Sequence, residues 1–201
     1  MDKPRRRWIL LALVLPILPA GLALAATEIE EIGKQPVQID FLSAGSLKMD
    51  TCSSGLKIIG VEKSGIRVAY DRDEDTSKVR VRVRTSGSEG TVEIDRCPHE
   101  NFRITIEIPR ATNLYVRMTA GQLDVEDVIG SKDLKMTAGE LNVEMGRAED
   151  YASVEASVTT GEVDARAYNV NKGGLFRSIE RKGPGRYRLY AHVGAGQVTL
   201  H

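Results

Sequence analysis

Aromatic side chains are scarce in this chain of 201 residues, which has three Phe, six Tyr and one Trp. That scarcity argues against the stacking platforms that hold single-stranded nucleic acids or sugars. An excess of one charge is also lacking: 28 basic residues balance 28 acidic ones, so no basic footprint marks a nucleic-acid partner. The three histidines, His99, His192 and His201, share no metal-ligand spacing, and His192 falls on the outward phase of its segment as a solvated residue. No serine sits in a G-x-S-x-G elbow. The glycines lead into extended segments rather than helices, which removes the phosphate-cradling loop. Beyond the N-terminus no window shows a 3.6-residue apolar period. With no local catalytic, cofactor-binding or metal-binding signature, the expectation is a protein that is not an enzyme and needs no cofactor.

A long apolar run occurs once. Lys3, Arg5, Arg6 and Arg7 precede an apolar stretch from Trp8 to Leu24, and Ala23-Leu24-Ala25 offers small residues for cleavage. Residues 1–26 therefore read as a secretory signal peptide. The alternative is an uncleaved membrane anchor, although Pro16, Pro19 and Gly21 interrupt a run of marginal spanning length. Removing four basic residues and Asp2 turns a neutral precursor into a chain of net charge −3. Its remaining length suits one domain, able to bury about 70% of the surface its unfolded chain exposes.

Cysteine is limited to Cys52 and Cys97. An even pair in an exported chain is most simply a disulfide; a reactive thiol or metal pair lacks neighbouring ligands. Asp71-Arg72-Asp73-Glu74-Asp75 resembles the start of a calcium loop, but Thr76 and Arg82 stand where an EF-hand needs Gly and Glu. An acidic inter-strand loop is the better reading.

What the chain has in abundance is apolar–polar alternation, the mark of strands with one buried face. Val79–Arg84 sets valines against arginines, and Phe102–Ile108 and Tyr187–Val193 repeat the pattern. Residues 27–36 read as a leader or linker, with room for one helical turn in Thr27–Lys34 and a glutamate cluster suited to solvent. Five units share one motif of a small residue, Gly, a polar residue and an apolar–polar–apolar triplet. They begin at Ala44-Gly45, Ala120-Gly121, Ala138-Gly139, Thr160-Gly161 and Ala195-Gly196. The expected architecture is all-β: one domain, 37–201, of stacked β-solenoid-like coils with inserted hairpins.

In that architecture Gly45, Gly121, Gly139, Gly161 and Gly196 supply a positive-φ turn or a close backbone approach. Leu123/Val125, Leu141/Val143, Val163/Ala165 and Val198/Leu200 point inward. Two polar ladders point outward, Gln122/Glu140/Glu162/Gln197 and Asp124/Asn142/Asp164/Thr199, and read as a solvated face. The longer interval from Gly161 to Gly196 implies an extra hairpin, Leu175–Lys182 returning through Arg186–Val193 about Gly183-Pro184-Gly185. Phe176, Tyr187 and Tyr190 are expected to pack in its core or rim. The C-terminal Val198-Thr199-Leu200-His201 is expected as an uncapped end strand open to self-association.

The run Ile108-Pro109-Arg110-Ala111-Thr112-Asn113-Leu114-Tyr115-Val116-Arg117, followed by A-G-x-L-x-V units, resembles the bacterial putative-adhesin family, the toastrack or adhesin-like β-repeat domain. Ala44–Leu47 leading to Ser54–Gly60 and Gly65–Val68 fits the same pattern, as does Gly183-Pro184-Gly185 followed by Val193–Val198. The resemblance spans about Val37 to His201 and implies an exported, non-catalytic module of the bacterial cell envelope, periplasmic or extracellular. It carries no catalytic residues, and the cysteine pair departs from its pattern as a staple between the first repeat and the middle of the chain. The implied partner is an envelope protein or surface glycan, or a second copy through exposed edge strands. Nucleic acid is not expected, and a membrane only through an uncleaved N-terminal segment. The alternatives are a polysaccharide-active β-solenoid enzyme or the ectodomain of an envelope-stress sensor.

Overall fold

The period-two pattern forms strands almost everywhere it occurs. The computed structural model describes residues 26–52, 54–70, 76–98 and 102–201; the N-terminal apolar segment, the Asp71–Asp75 run and His99 lie outside them. In chain order the strands are β1 (Thr27–Ile32), β2 (Val37–Ile39), β3 (Ser46–Thr51), β4 (Ser54–Val61), β5 (Ile66–Tyr70), β6 (Arg80–Ser86) and β7 (Glu89–Asp95). They continue as β8 (Arg103–Pro109), β9 (Asn113–Glu126), β10 (Lys132–Val143), β11 (Tyr151–Ala165), β12 (Val170–Lys182) and β13 (Tyr187–Leu200). Among the described residues the only helical turns are 3-10, at Ala148–Asp150 and Arg166–Tyr168.

All thirteen strands belong to one hydrogen-bonded sheet, which doubles over into two leaves. The long strands β9, β10, β13 and β11 lie side by side and parallel, and each contributes to both leaves. The first half of β9 pairs with β3 and its second half with β4. Beyond them β7, β6 and β1 extend one leaf, and β8, β5 and β2 extend the other. β12 pairs antiparallel with β11 and ends the stack.

The doubling is written into the side-chain parity. Met118 and Leu123 are successive buried positions in β9, as are Met136 and Leu141, Val158 and Val163, and Val193 and Val198 in their own strands. Each pair is five residues apart, an odd step that switches the face pointing inward. Gly121, Gly139, Gly161 and Gly196 occupy that step in register, all with φ between 118° and 142°. A Cβ on Gly139 would strike the carbonyl oxygen of Gly121; one on Gly196 would strike Gly139, and one on Gly161 would strike Gly196. Both conformation and space therefore demand glycine there. Inside the fold, the two leaves share one apolar core, with Leu114, Val116, Leu134 and Ala191 from one side and Leu123, Leu141, Val198 and Leu200 from the other.

Gly45 stands elsewhere. Ser46 pairs with Asn113, so Gly45 lies at the opposite corner, while Ser54 is the residue facing Gly121. There Ala44 takes the positive φ of 63°, and Gly45 is small because the Ser88 carbonyl and the Phe41 ring press against it. Along the main fold line the first two coils carry the disulfide instead. Cys52 follows β3 and Cys97 follows β7, two parallel neighbours, and the bond joins them with a Cα–Cα distance of 6.0 Å.

Four expectations are corrected. Thr27–Ile32 is an edge strand rather than a helical turn, because Glu28 and Glu30 find Arg82 and Arg84 across β6. The hairpin between Leu175–Lys182 and Arg186–Val193 does not form. β12 folds back on β11 through the 3-10 turn and Asn169, which takes the left-handed φ of 53° that asparagine tolerates. Gly183 and Gly185 instead let the chain cross over Tyr151 and Asp150 at close range, carrying β13 into the slot between β10 and β11. The C-terminal strand is thus internal rather than an open end. Phe176 is 79% exposed rather than packed.

Gly139→Val should lower stability by about 3 kcal/mol or more, combining backbone strain with a carbonyl collision. Gly146→Ala should cost about 1 kcal/mol, because Gly146 has φ 69° but open space around it. Equal effects in urea unfolding would refute the close-approach account. Reducing the Cys52–Cys97 bond, whose sequence separation is 45, should cost about 4 kcal/mol in the chain-entropy account. Urea curves with and without reductant, alongside a non-reduced peptide map, check this; two free thiols in the native protein would overturn it.

Candidate functional site

Many polar groups of the two broad faces find partners within the sheet. On one, Gln122, Glu140, Gln197 and Glu162 stand in register, and Asp124, Asn142, Thr199 and Asp164 form the next rung. Amides alternate with carboxylates along the first rung, which separates like charges. Asn142 Nδ2 donates to Asp124 Oδ1 at 2.8 Å, Lys57 pairs with Glu126 at 2.8 Å and Arg166 with Asp164 at 2.9 Å. No group of three or more metal-ligating side chains occurs among the described residues.

On the other face Arg82 bridges Glu30 at 2.8 Å and Glu93 at 2.9 Å. Arg117 lies 3.7 Å over the Tyr115 ring and pairs with Asp133 at 2.9 Å, and Lys135 lies 5.0 Å from the Tyr190 ring centroid. His192 is on this outer face, with its Nδ1 2.9 Å from Ser157 Oγ. In register its other neighbour is Lys135, and among the described residues no carboxylate is hydrogen-bonded to the ring in the way a catalytic triad orients its histidine. His201 is exposed at the C-terminus.

The most unusual polar group is one that alternation exposes only on close counting. Lys132 shares the inward phase of Leu134 and Met136 and is 2% exposed. Its Nζ donates to the Tyr151 hydroxyl at 2.7 Å and the Gly130 carbonyl at 3.3 Å, and Tyr151 donates to the Met145 carbonyl at 3.2 Å. Burial pushes the Lys132 ammonium down to about 8 and raises the Tyr151 hydroxyl. Beside them lies a cleft of about 290 Å³ lined by Arg110, Asp127, Arg147, Asp150, Tyr151 and Tyr187. A lysine with a lowered pKa is a nucleophile by chemistry. Here its Nζ is enclosed and committed to partners, and the cleft's charges pair as Arg110–Asp127 at 3.3 Å and Arg147–Asp150 at 2.7 Å. The cluster instead ties β10 to β11 across the start of the inserted β13.

The two ends of the stack differ. Between β1, β2 and β5 an open cleft of about 1030 Å³ is lined by Ile29, Ile39, Glu62, Ile66, Arg67 and Glu107, with Arg67 and Glu107 paired at 3.1 Å. At the far end β12 exposes one hydrogen-bonding edge and nearly all its side chains. It carries Lys172, Arg177, Arg181 and Lys182 against Glu180, a net charge of +3. Among the described residues none of these four cations forms an ion pair. Lys172 Nζ donates to the Ser178 carbonyl at 3.1 Å, Arg177 Nε to the Gly173 carbonyl at 2.9 Å and Arg181 Nη1 to the backbone carbonyl of Glu180 at 3.0 Å, and the Arg181 guanidinium lies 5.8 Å from the Tyr168 ring centroid. Leu175 and Phe176 protrude among them, 60% and 79% exposed. β12 is thus the feature that sequence reasoning missed: its charge count is legible, but its place at the end of the sheet is not.

No family model matches the sequence, and no curated protein does. Among solved structures the chain is similar to one described as a "putative cell adhesion protein" from Clostridium sporogenes, at 12% identity with a TM-score of 0.50. The match covers 88% of this chain and 99% of that one. The likeness is one of fold, and it supports an adhesin-like architecture.

The Lys132 site predicts a pH dependence. Its folded-state pKa of about 8 lies below the ordinary 10.5, so between those values the unfolded chain holds a proton the folded chain has released. Stability contributed at this site therefore rises with pH across that window, by about 3 kcal/mol in all. Urea unfolding of the parent and Lys132→Met from pH 7 to 11 should show the difference moving in the parent's favour. A difference that stays flat would refute it.

Proposed function

We propose that this chain is an exported β-repeat protein of the cell envelope, acting as a non-catalytic binding module at a periplasmic or extracellular surface. The disulfide suits an oxidising compartment. The basic and apolar N-terminal segment suits export, and the adhesin-like fold suits a rigid scaffold that presents a surface. The observation that carries the reading is the contrast between faces and end. The broad faces are laced by in-register amide–carboxylate and ion pairs, with single cations such as Lys48 and Arg188 spaced among them, whereas β12 gathers on one strand four cations that form no ion pair among the described residues and two protruding apolar side chains. Cations clustered without a counter-charge, in a chain otherwise net acidic, suit an anionic partner outside the molecule.

A tagged chain expressed in a bacterium should be recovered from the exported fraction with Cys52 and Cys97 joined. The purified chain should co-sediment with isolated envelope fragments and be released by salt. Cytoplasmic recovery with free thiols, or no co-sedimentation at low salt, would sink the proposal.

A further inference from the structure

The geometry of β12 points to a partner of defined chemistry: the headgroup surface of an anionic lipid membrane. This rests on the reading of the chain as an envelope binding module and names what its end strand binds. Arg177, Ile179 and Arg181 pair across the ladder with Val158, Ala156 and Val154, and Lys172 with Val163. Those four β11 residues all face the core, so Lys172, Arg177 and Arg181 share the core-facing side of the last strand. Three cations thus lie across the open end of the stack, where an internal strand would place apolar residues. Lys182 adds a fourth on the outer face, in register with Ser153. Leu175 and Phe176 stand at the bend of the same strand, Phe176 with a φ of 50°. An apolar tip ringed by basic side chains is the surface chemistry of proteins that rest on anionic bilayers: cations meet phosphates while the tip enters the acyl boundary.

A second copy of the chain is the less fitting occupant. Two β12 edges brought together would set Lys and Arg against Lys and Arg, and inward-pointing charges with a bent backbone are the devices that blunt an edge against pairing. Nor do the glutamates of β1 offer a free acidic strip. Glu28 and Glu30 are held by Arg84 and Arg82, and Glu31 by Lys34 at 2.9 Å. An anionic polymer would satisfy the cations but leave Leu175 without an apolar environment.

The single tryptophan, Trp8, lies in the N-terminal segment. Residues 27–201, which hold every strand among the described residues, the core and the disulfide, are therefore free of tryptophan, and F176W in that chain gives an unambiguous reporter. With vesicles of phosphatidylcholine and phosphatidylglycerol, its indole emission should shift to the blue and be quenched by brominated acyl chains. Phosphatidylcholine alone should give neither. K172Q/R177Q/R181Q should weaken partitioning roughly a hundredfold, and rising salt should weaken it in the parent as well, which keeps the test decisive if the triple variant does not fold. Binding insensitive to salt, an indole untouched by acyl-chain quenchers, or β12-dependent dimers in sedimentation without vesicle binding would overturn the proposal. If vesicles fail while envelope fragments still co-sediment, the lipid assignment falls and the binding-module reading stands.

Discussion

The structure depends on one contact repeated along a line: the carbonyl of a glycine in one coil seated where the next coil's glycine has no side chain. Gly161 over Gly196, Gly196 over Gly139 and Gly139 over Gly121 make a continuous row. Because each glycine also holds a positive φ, each strand turns there and exchanges its inward face. Without that exchange the residues after the glycine would point to solvent, and the two leaves would share no core. Where the first two coils lack a glycine on this line, a covalent bond between Cys52 and Cys97 holds the corner. The two devices do the same work by different chemistry, one by admitting close approach and the other by enforcing it.

The position of β13 adds a second constraint. β10 pairs with β9 and β13, and β11 pairs with β13 and β12. The β11–β12 hairpin therefore joins the rest of the sheet only through the last strand of the chain. The stack cannot close until the C-terminal residues have threaded into their slot, a topology of long-range parallel pairing that folds slowly. The Lys132–Tyr151 bond spans this slot from β10 to β11. A buried ammonium without a carboxylate is a costly group, and its placement makes sense at the point where the two halves of the stack have to be fixed in register.

Most elements of the sheet were legible in the sequence, but β1 and the strand order were not. Alternation marked β6, β8 and β13 because a buried face needs every second residue apolar, and the Gly-led units marked the fold line because nothing else fits there. Strand neighbours are chosen by contacts far apart in the chain, and no local pattern distinguishes β13 beside β10 from β13 beside β12. The Gly183-Pro184-Gly185 signal reads as a hairpin turn, and the chain does need glycine there for another reason. The need comes from crossing over Asp150 and Tyr151, not from closing a hairpin. Gly45 repeats the motif of the row at the opposite corner, since both sites need a small residue for a close approach. Lys132 could have been found by counting phase, as it falls on the inward side of a clean alternation. The chemistry of β12 was hidden because the same residues read as a paired hairpin until the sheet order placed them at its end.

That placement bears on why a repeat fold of this kind concentrates its binding at an end. Along the faces each outward residue has in-register neighbours on both sides, so amides and opposite charges can be interleaved until the field cancels. The last strand has a neighbour on one side only. Its inward-pointing positions cannot all be left apolar, as Ile179 is, without inviting further strands, and charges there have no next coil to neutralise them. A capping strand is therefore driven toward unmatched charge by the requirement to end the stack. Here the same requirement supplies three inward cations, joined by Lys182 on the outer face, beside two apolar side chains, so that the feature ending the solenoid is also the one best fitted to meet an anionic surface.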